Sequence, residues 1–151
     1  MTKWKKFEED FYVLVEAGYI AVNQGDEDSS LKLFRAAELL NPENSLSKVG
    51  FGYVHLHKLE LKQACECFQQ VLDKEPHNEM ATAFLGLCMA LSPNLTAKGE
   101  TLLEKAAHSN DPLIKNLGSS ALHFVEEYVK KAPTPMAAQE KTSSSKKPKH
   151  K

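Results

Sequence analysis

Apolar positions recur every three to five residues over most of this chain, the spacing of helices that bury one face. Leu31, Phe34 and Leu39 form one such series, and Ala64, Phe68 and Leu72 another. The pattern predicts seven helices, at roughly 4–24, 28–40, 44–57, 61–74, 78–91, 96–108 and 112–131. Asn41-Pro42 and Glu75-Pro76 end the second and fourth, because proline pushes the residue before it out of the α region. Gln24-Gly25-Asp26 breaks the first pair, and His57 to Leu61 is a weaker counterpart in the second. Ser92-Pro93-Asn94 lengthens the third turn, and Asp111-Pro112 opens the last helix with proline in its first turn.

The helices repeat in pairs. Gly18, Gly52 and Gly86 are evenly spaced, and the same interval separates Phe34 from Phe68 and Pro42 from Pro76. Tyr19, Tyr53 and Leu87 follow the glycines in the same register. A period of about 34 residues is the mark of stacked helical hairpins, each unable to bury its apolar face alone. Glycine inside a helix costs about 1 kcal/mol, which the close approach of a neighbouring backbone would offset. The third unit is imperfect, with Leu103 and Ala106 continuing the pattern about one residue late. The last helix is apolar at Leu113, Leu117, Leu122, Phe124 and Val125, and one polar side suits it to close an open solenoid. The expected architecture is all-α: three hairpins in a short solenoid plus a C-terminal capping helix, spanning 11–131. Residues 1–10 form an N-terminal helical extension.

Composition divides the chain in two. Nineteen basic and twenty acidic side chains nearly cancel, but five lysines and one acid lie from Pro133 onward. The body is therefore acidic and the tail basic. Residues 132–151, with Pro133, Pro135, a serine run and a lysine-rich end, cannot bury enough to order themselves and are expected to be a disordered tail. Its lysines lack interleaved aromatics, so base stacking has no platform and no nucleic-acid partner is expected. Three cysteines, Cys65, Cys67 and Cys88, cannot all pair, and the charged start is followed by no apolar leader. No run reaches the roughly 18 apolar residues of a membrane span. A cytoplasmic protein without membrane insertion is the expectation.

Catalytic chemistry finds no foothold. His55 and His57, and Cys65 and Cys67, are two residues apart on predicted helices, about 200° round the axis, where no shared metal ion can sit. Asp26, Glu27 and Asp28 read as a helix start rather than as calcium ligands. Gly50-Phe51-Gly52 lies inside a helix, without the strand and loop of a phosphate site. Neither enzyme activity nor a cofactor or metal is expected.

The period and its residues resemble the tetratricopeptide-repeat (TPR) family: a small residue at the eighth position (Gly18, Gly52, Gly86), an aromatic at the twenty-fourth (Phe34, Phe68) and proline at the thirty-second (Pro42, Pro76). Ala37 and Ala64 fill further small-residue positions, whereas Leu14, Lys48 and Thr82 stand where the family favours tryptophan. In that family the first helices line a concave surface. The resemblance implies a partner-binding groove formed by Tyr12, Val15, Tyr19 and Val22, by Leu46, Val49, Tyr53 and Leu56, and by Met80, Ala83, Leu87 and Ala90. So apolar a surface suits an amphipathic helix laid in it.

Within the family, Ala83-Phe84-Leu85-Gly86-Leu87-Cys88 and Asn110-Asp111-Pro112-Leu113-Ile114 resemble the needle-subunit chaperones of bacterial type III secretion. That resemblance, over roughly 10–131, implies a bacterial cytosolic chaperone that masks the C-terminal helix of the needle subunit and prevents its premature polymerisation. It also implies a small helical co-chaperone on the N-terminal repeat, for which Trp4, Phe7 and Phe11 are the candidate contacts. Two alternatives stand beside it: a TPR chaperone of translocator proteins, which would use the same groove, and a TPR scaffold in a multiprotein assembly.

Overall fold

A computed structural model describes residues 5–131. Among the described residues there are seven α-helices and no strand: α1 (Asp10–Asn23), α2 (Glu27–Leu40), α3 (Leu46–His57), α4 (Leu61–Lys74), α5 (Glu79–Leu91), α6 (Thr96–Ala107) and α7 (Pro112–Phe124). A 3₁₀ turn, Lys5–Phe7, precedes them, and a π-helical turn, Val125–Val129, follows. Neighbouring helices pack in sequence order as a helical-repeat solenoid. No helix among the described residues is long and apolar enough to cross a membrane.

Two predicted helices change at their outer ends. The apolar pattern places the first from residue 4, but α1 starts only at Asp10. Glu8, Glu9 and Asp10 are all exposed, so the helix has no apolar face to pack before the buried Phe11. At the other end α7 keeps α geometry to Phe124 and then widens, with Lys130 N–H donating to Val125 O at 3.0 Å. The expected disordered tail, 132–151, and Trp4 lie outside the described residues.

Three of the helix starts, those of α2, α5 and α7, are capped by side-chain oxygens. Asp26 Oδ1 accepts from Ser29 N–H at 3.0 Å, Asn78 Oδ1 from Ala81 N–H at 2.9 Å, and Asp111 Oδ1 from Leu113 N–H at 2.9 Å beside Pro112. The α1–α2 and α3–α4 turns are the same object, one repeat apart. Gly25 and Leu59 both take a positive φ, 77° and 58°. Asp26 and Glu60 N–H then close the two turns onto Ala21 O and His55 O, each at 2.9 Å. The leucine therefore holds a backbone conformation that ordinarily belongs to glycine.

The repeating glycines and phenylalanines are partners. A Cβ built on Gly18 would lie 2.6 Å from the Phe34 ring, and one on Gly52 would lie 2.6 Å from Phe68. Both rings are completely buried, and Phe34 also rests against Gly50 of the next hairpin. In the third unit Leu102, in phase with Phe68, faces Gly86, while Leu103 is fully buried beside it. Replacing the ring lets α5 and α6 approach until Gly99 meets the backbone of Ala90 and Gly86. The degraded hairpin thus packs through glycines where the first two pack through phenylalanine.

Candidate partner-binding groove

The first helices of the successive units, α1, α3, α5 and α7, share a concave apolar surface holding a cavity of about 670 Å³. Tyr19 enters it from α1, and Tyr53, Leu56 and His57 from α3. Met80, Phe84 and Leu87 line it from α5, and Leu117 from α7. Five of the expected residues, Tyr19, Tyr53, Leu56, Met80 and Leu87, meet here.

The others do not line the opening. Val15, Val49 and Ala83 are buried, and so are Val22 and Ala90; Leu56, at 9% exposure, sits at the margin of core and groove. These are the second and fourth positions of each expected set. At 100° per residue they lie about 60–80° round the helix from the first, turned under the adjoining helices. Leu46 is half-buried against the α1–α2 core. Tyr12 is 61% exposed, with its ring edge-on to Phe11 at 5.1 Å, and does not reach the cavity.

Phe84, His57 and Leu117 are not among the expected groove residues. Phe84 lies four residues after Met80 and three before Leu87, so helical spacing alone places it on their face. Leu117 requires the fourth first-position helix to be recognised as a wall of the groove rather than only as a cap.

An aromatic ladder fills the α1–α3 side. Tyr19 packs edge-on to Phe34 at 5.2 Å and tilted against Tyr53 at 5.3 Å, and Tyr53 continues to Phe84 at 5.6 Å and His57 at 5.1 Å. The Tyr53 hydroxyl donates to Asn23 Oδ1 at 2.7 Å. Tyr19 Oη is buried without a hydrogen-bond partner. Burial, and then the nearby Tyr53, push the Tyr19 phenol far above its ordinary value; burial raises Tyr53 as well. Both stay neutral at physiological pH.

Outside the groove, a charged cluster joins the start of α2 to the α3–α4 turn. Lys58 bridges Glu27 at 2.8 Å and Glu60 at 2.9 Å, and His55 Nδ1 lies 2.6 Å from Glu60 Oε2. Lys58 and then His55 hold the Glu60 carboxyl below the usual range. Cys65 and Cys67 are half-buried and Cys88 is buried, and burial pushes the Cys88 thiol up to about 12. Among the described residues no group of three or more His, Cys, Asp or Glu is placed to hold a metal ion.

A second apolar hollow, about 530 Å³, lies outside the concave face between α1 and α2. Phe7, Val13, Leu14, Ala36, Leu39 and Leu40 line it, with Asp10 at its edge. Val13 and Leu39 are 63% and 68% exposed. Of the expected co-chaperone contacts, Phe7 belongs to this hollow. Phe11 does not: it is completely buried in the core around Phe34, because the first turn of α1 points it inward.

Comparison of the chain with family models, with curated proteins and with solved structures found no match.

Proposed function

We propose that this chain is a cytosolic TPR chaperone of the type III secretion needle-subunit class, holding the amphipathic C-terminal helix of its guest in the concave groove. The observation that carries this reading is the groove itself: a cavity of about 670 Å³ whose walls offer only His57 and two tyrosines among apolar side chains. Apolar walls of this kind recognise an apolar helix face and discriminate against charged tails. Burial at roughly 25 cal/mol per Å² drives the association, and ordering of the guest offsets part of it. The hollow lined by Phe7, Val13 and Leu39 supports a small helical co-chaperone on the first hairpin. A lining that is apolar apart from His57 and two tyrosines suits the binding of an apolar surface.

Co-expression with the needle subunit tests the reading. A chaperone of this class converts an aggregating needle subunit into a soluble complex of defined stoichiometry. Solubilisation of a pore-forming translocator in its place moves the protein to the sister class of TPR chaperones. No effect on either guest leaves a scaffold and ends the chaperone reading.

A further inference from the structure

One end of the solenoid is uncovered among the described residues. Val13, Ala17 and Ile20 form one flank of α1; Ser47, Phe51 and Val54 stand in the same register one repeat later, and Ala81, Leu85 and Cys88 one repeat beyond. The two later flanks pack on the hairpin before them. Ser47, Val54, Ala81, Leu85 and Cys88 are buried there, and Phe51 lies against Phe34 at 5.9 Å. The α1 flank keeps the apolar code without that cover, and Val13 and Ile20 are both more than half exposed. At the hollow beside Val13, α2 carries Ala36, Leu39 and Leu40 where α4 carries Gln70, Asp73 and Lys74. Apolar side chains at three places that are polar in the next hairpin mark a surface that something covers.

The nearest candidate is the chain itself. The 3₁₀ turn Lys5–Phe7 brings Phe7 into the wall of the hollow. In 3₁₀ geometry side chains three residues apart eclipse, and the backbone rises about 2 Å per residue. Trp4 is three residues before Phe7, so the same turn continued by one residue would set it about 6 Å from Phe7 and on the same side. Its indole matches the hollow chemically: a large apolar ring system for Val13, Ala36 and Leu39, and one N–H donor for the Asp10 carboxylate at the edge. A tether this short also gives the ring an effective concentration of about millimolar or more, which a free partner has to exceed. The segment 132–151 is a poorer occupant, because it contains no phenylalanine, tyrosine or tryptophan.

We propose that Trp4 folds back on the first hairpin of its own chain, seating its indole in the hollow between α1 and α2 with the N–H on Asp10. The segment then covers this end of the solenoid, as α7 covers the third hairpin at the other. The inference goes beyond the chaperone reading and does not depend on it. Its consequence for that reading is that a small helical partner on the first hairpin meets the Trp4 indole, held by Phe7 and Leu39, instead of an open hollow.

Trp4 is the only tryptophan, so its fluorescence reports on this site alone. In the full chain its emission is expected to lie to the blue of the urea-unfolded chain, with acrylamide quenching about threefold weaker because the seated ring excludes the quencher. Val13→Ser/Leu39→Ser, at two exposed positions, should shift the emission to the red and raise quenching by about twofold, with helicity by circular dichroism unchanged. Should that pair lose helicity, Phe7→Ser, which lies before α1, decides in the same terms. Leu113→Ser/Tyr128→Ser at the far end is the control and should change neither signal. Wild-type emission and quenching equal to those of the unfolded chain overturn the inference, because the indole is then in water. A shielded Trp4 that does not respond to the variants of the hollow also overturns it, by placing the ring elsewhere. Shielding that fades on dilution, in step with dissociation of a dimer seen by light scattering, overturns it by assigning the hollow to a second copy.

Discussion

Phe68 and Phe84 lie stacked across the α4–α5 contact, with ring centroids 5.4 Å apart and planes inclined by 22°. Phe84 holds the place in the third hairpin that Gly50 holds in the second, and it is on Gly50 that the Phe34 ring rests. One substitution in the repeat thus turns a ring-on-glycine contact into a ring-on-ring contact. It also places an aromatic on the floor of the groove.

Truncating either ring separates its two roles. Phe68 is completely buried, so Phe68→Ala is expected to cost about 3–5 kcal/mol in urea unfolding. Phe84 is half-buried, and Phe84→Ala is expected to cost about 2 kcal/mol while weakening guest binding. Equal losses of stability for the two would contradict the assignment of Phe84 to the cavity wall.

Tyr19→Phe is expected to stabilise the protein. The substitution keeps the ring contacts to Phe34 and Tyr53 and removes a buried hydroxyl that has no partner, a gain of about 1 kcal/mol. Tyr53→Phe should move the other way by about 0.5 kcal/mol, because it deletes the exposed bond to Asn23. A lower melting temperature for Tyr19→Phe would show that this hydroxyl is satisfied in solution.

Leu59→Gly is a second stabilising change. At φ 58° the leucine bears the left-handed penalty that Gly25 avoids in the equivalent turn, and its side chain is 70% exposed. Relief of roughly 1–2 kcal/mol is partly offset by the greater freedom of glycine in the unfolded chain, which leaves a net gain of about 1 kcal/mol. Chemical denaturation of Leu59→Gly beside Gly25→Ala, which is expected to lose stability, checks the pair.

Acid should loosen the turns first. Asp26 is held below its ordinary value by Ser29, Glu60 by Lys58 and then His55, and Glu75 by Asn78 and then Ser45. A carboxyl lowered in the folded state contributes stability above its unfolded value and loses it as pH falls through the folded value. The melting temperature should therefore decline below about pH 4.5, where carboxylates of the unfolded chain begin to protonate. Glu75→Gln, which removes one of these groups, should make that decline shallower. All three groups are exposed or nearly so, so solvent screening keeps each effect small.

Much of the fold was legible because its information is local and repeated. The breaks at Gly25, Pro42 and Pro76 act within a turn of their own position, and Gly18 and Gly52 declared a close neighbour, which is a phenylalanine ring, Phe34 and Phe68, rather than the expected backbone. The groove was legible only in part. The resemblance to the TPR family implied one surface for Tyr19, Tyr53, Met80 and Leu87, but it did not separate them from Val15, Val49 and Ala83, which differ by part of a turn and are buried. Phe11 shows the same limit: an aromatic at the start of α1 reads alike whether it faces a partner or the core.

From its sequence alone this chain had its seven helices, their pairing and a period of about 34 residues that slips in the third unit, since each follows from short-range propensity and a repeated apolar code. The tertiary structure decided which arc of each first helix stays open. It left Tyr19, Tyr53, Phe84 and Leu87 along the cavity and turned Val15, Val49 and Ala83 into the core. That difference is set by what neighbouring helices cover, and coverage is a property of several helices at once rather than of the periodicity in any one.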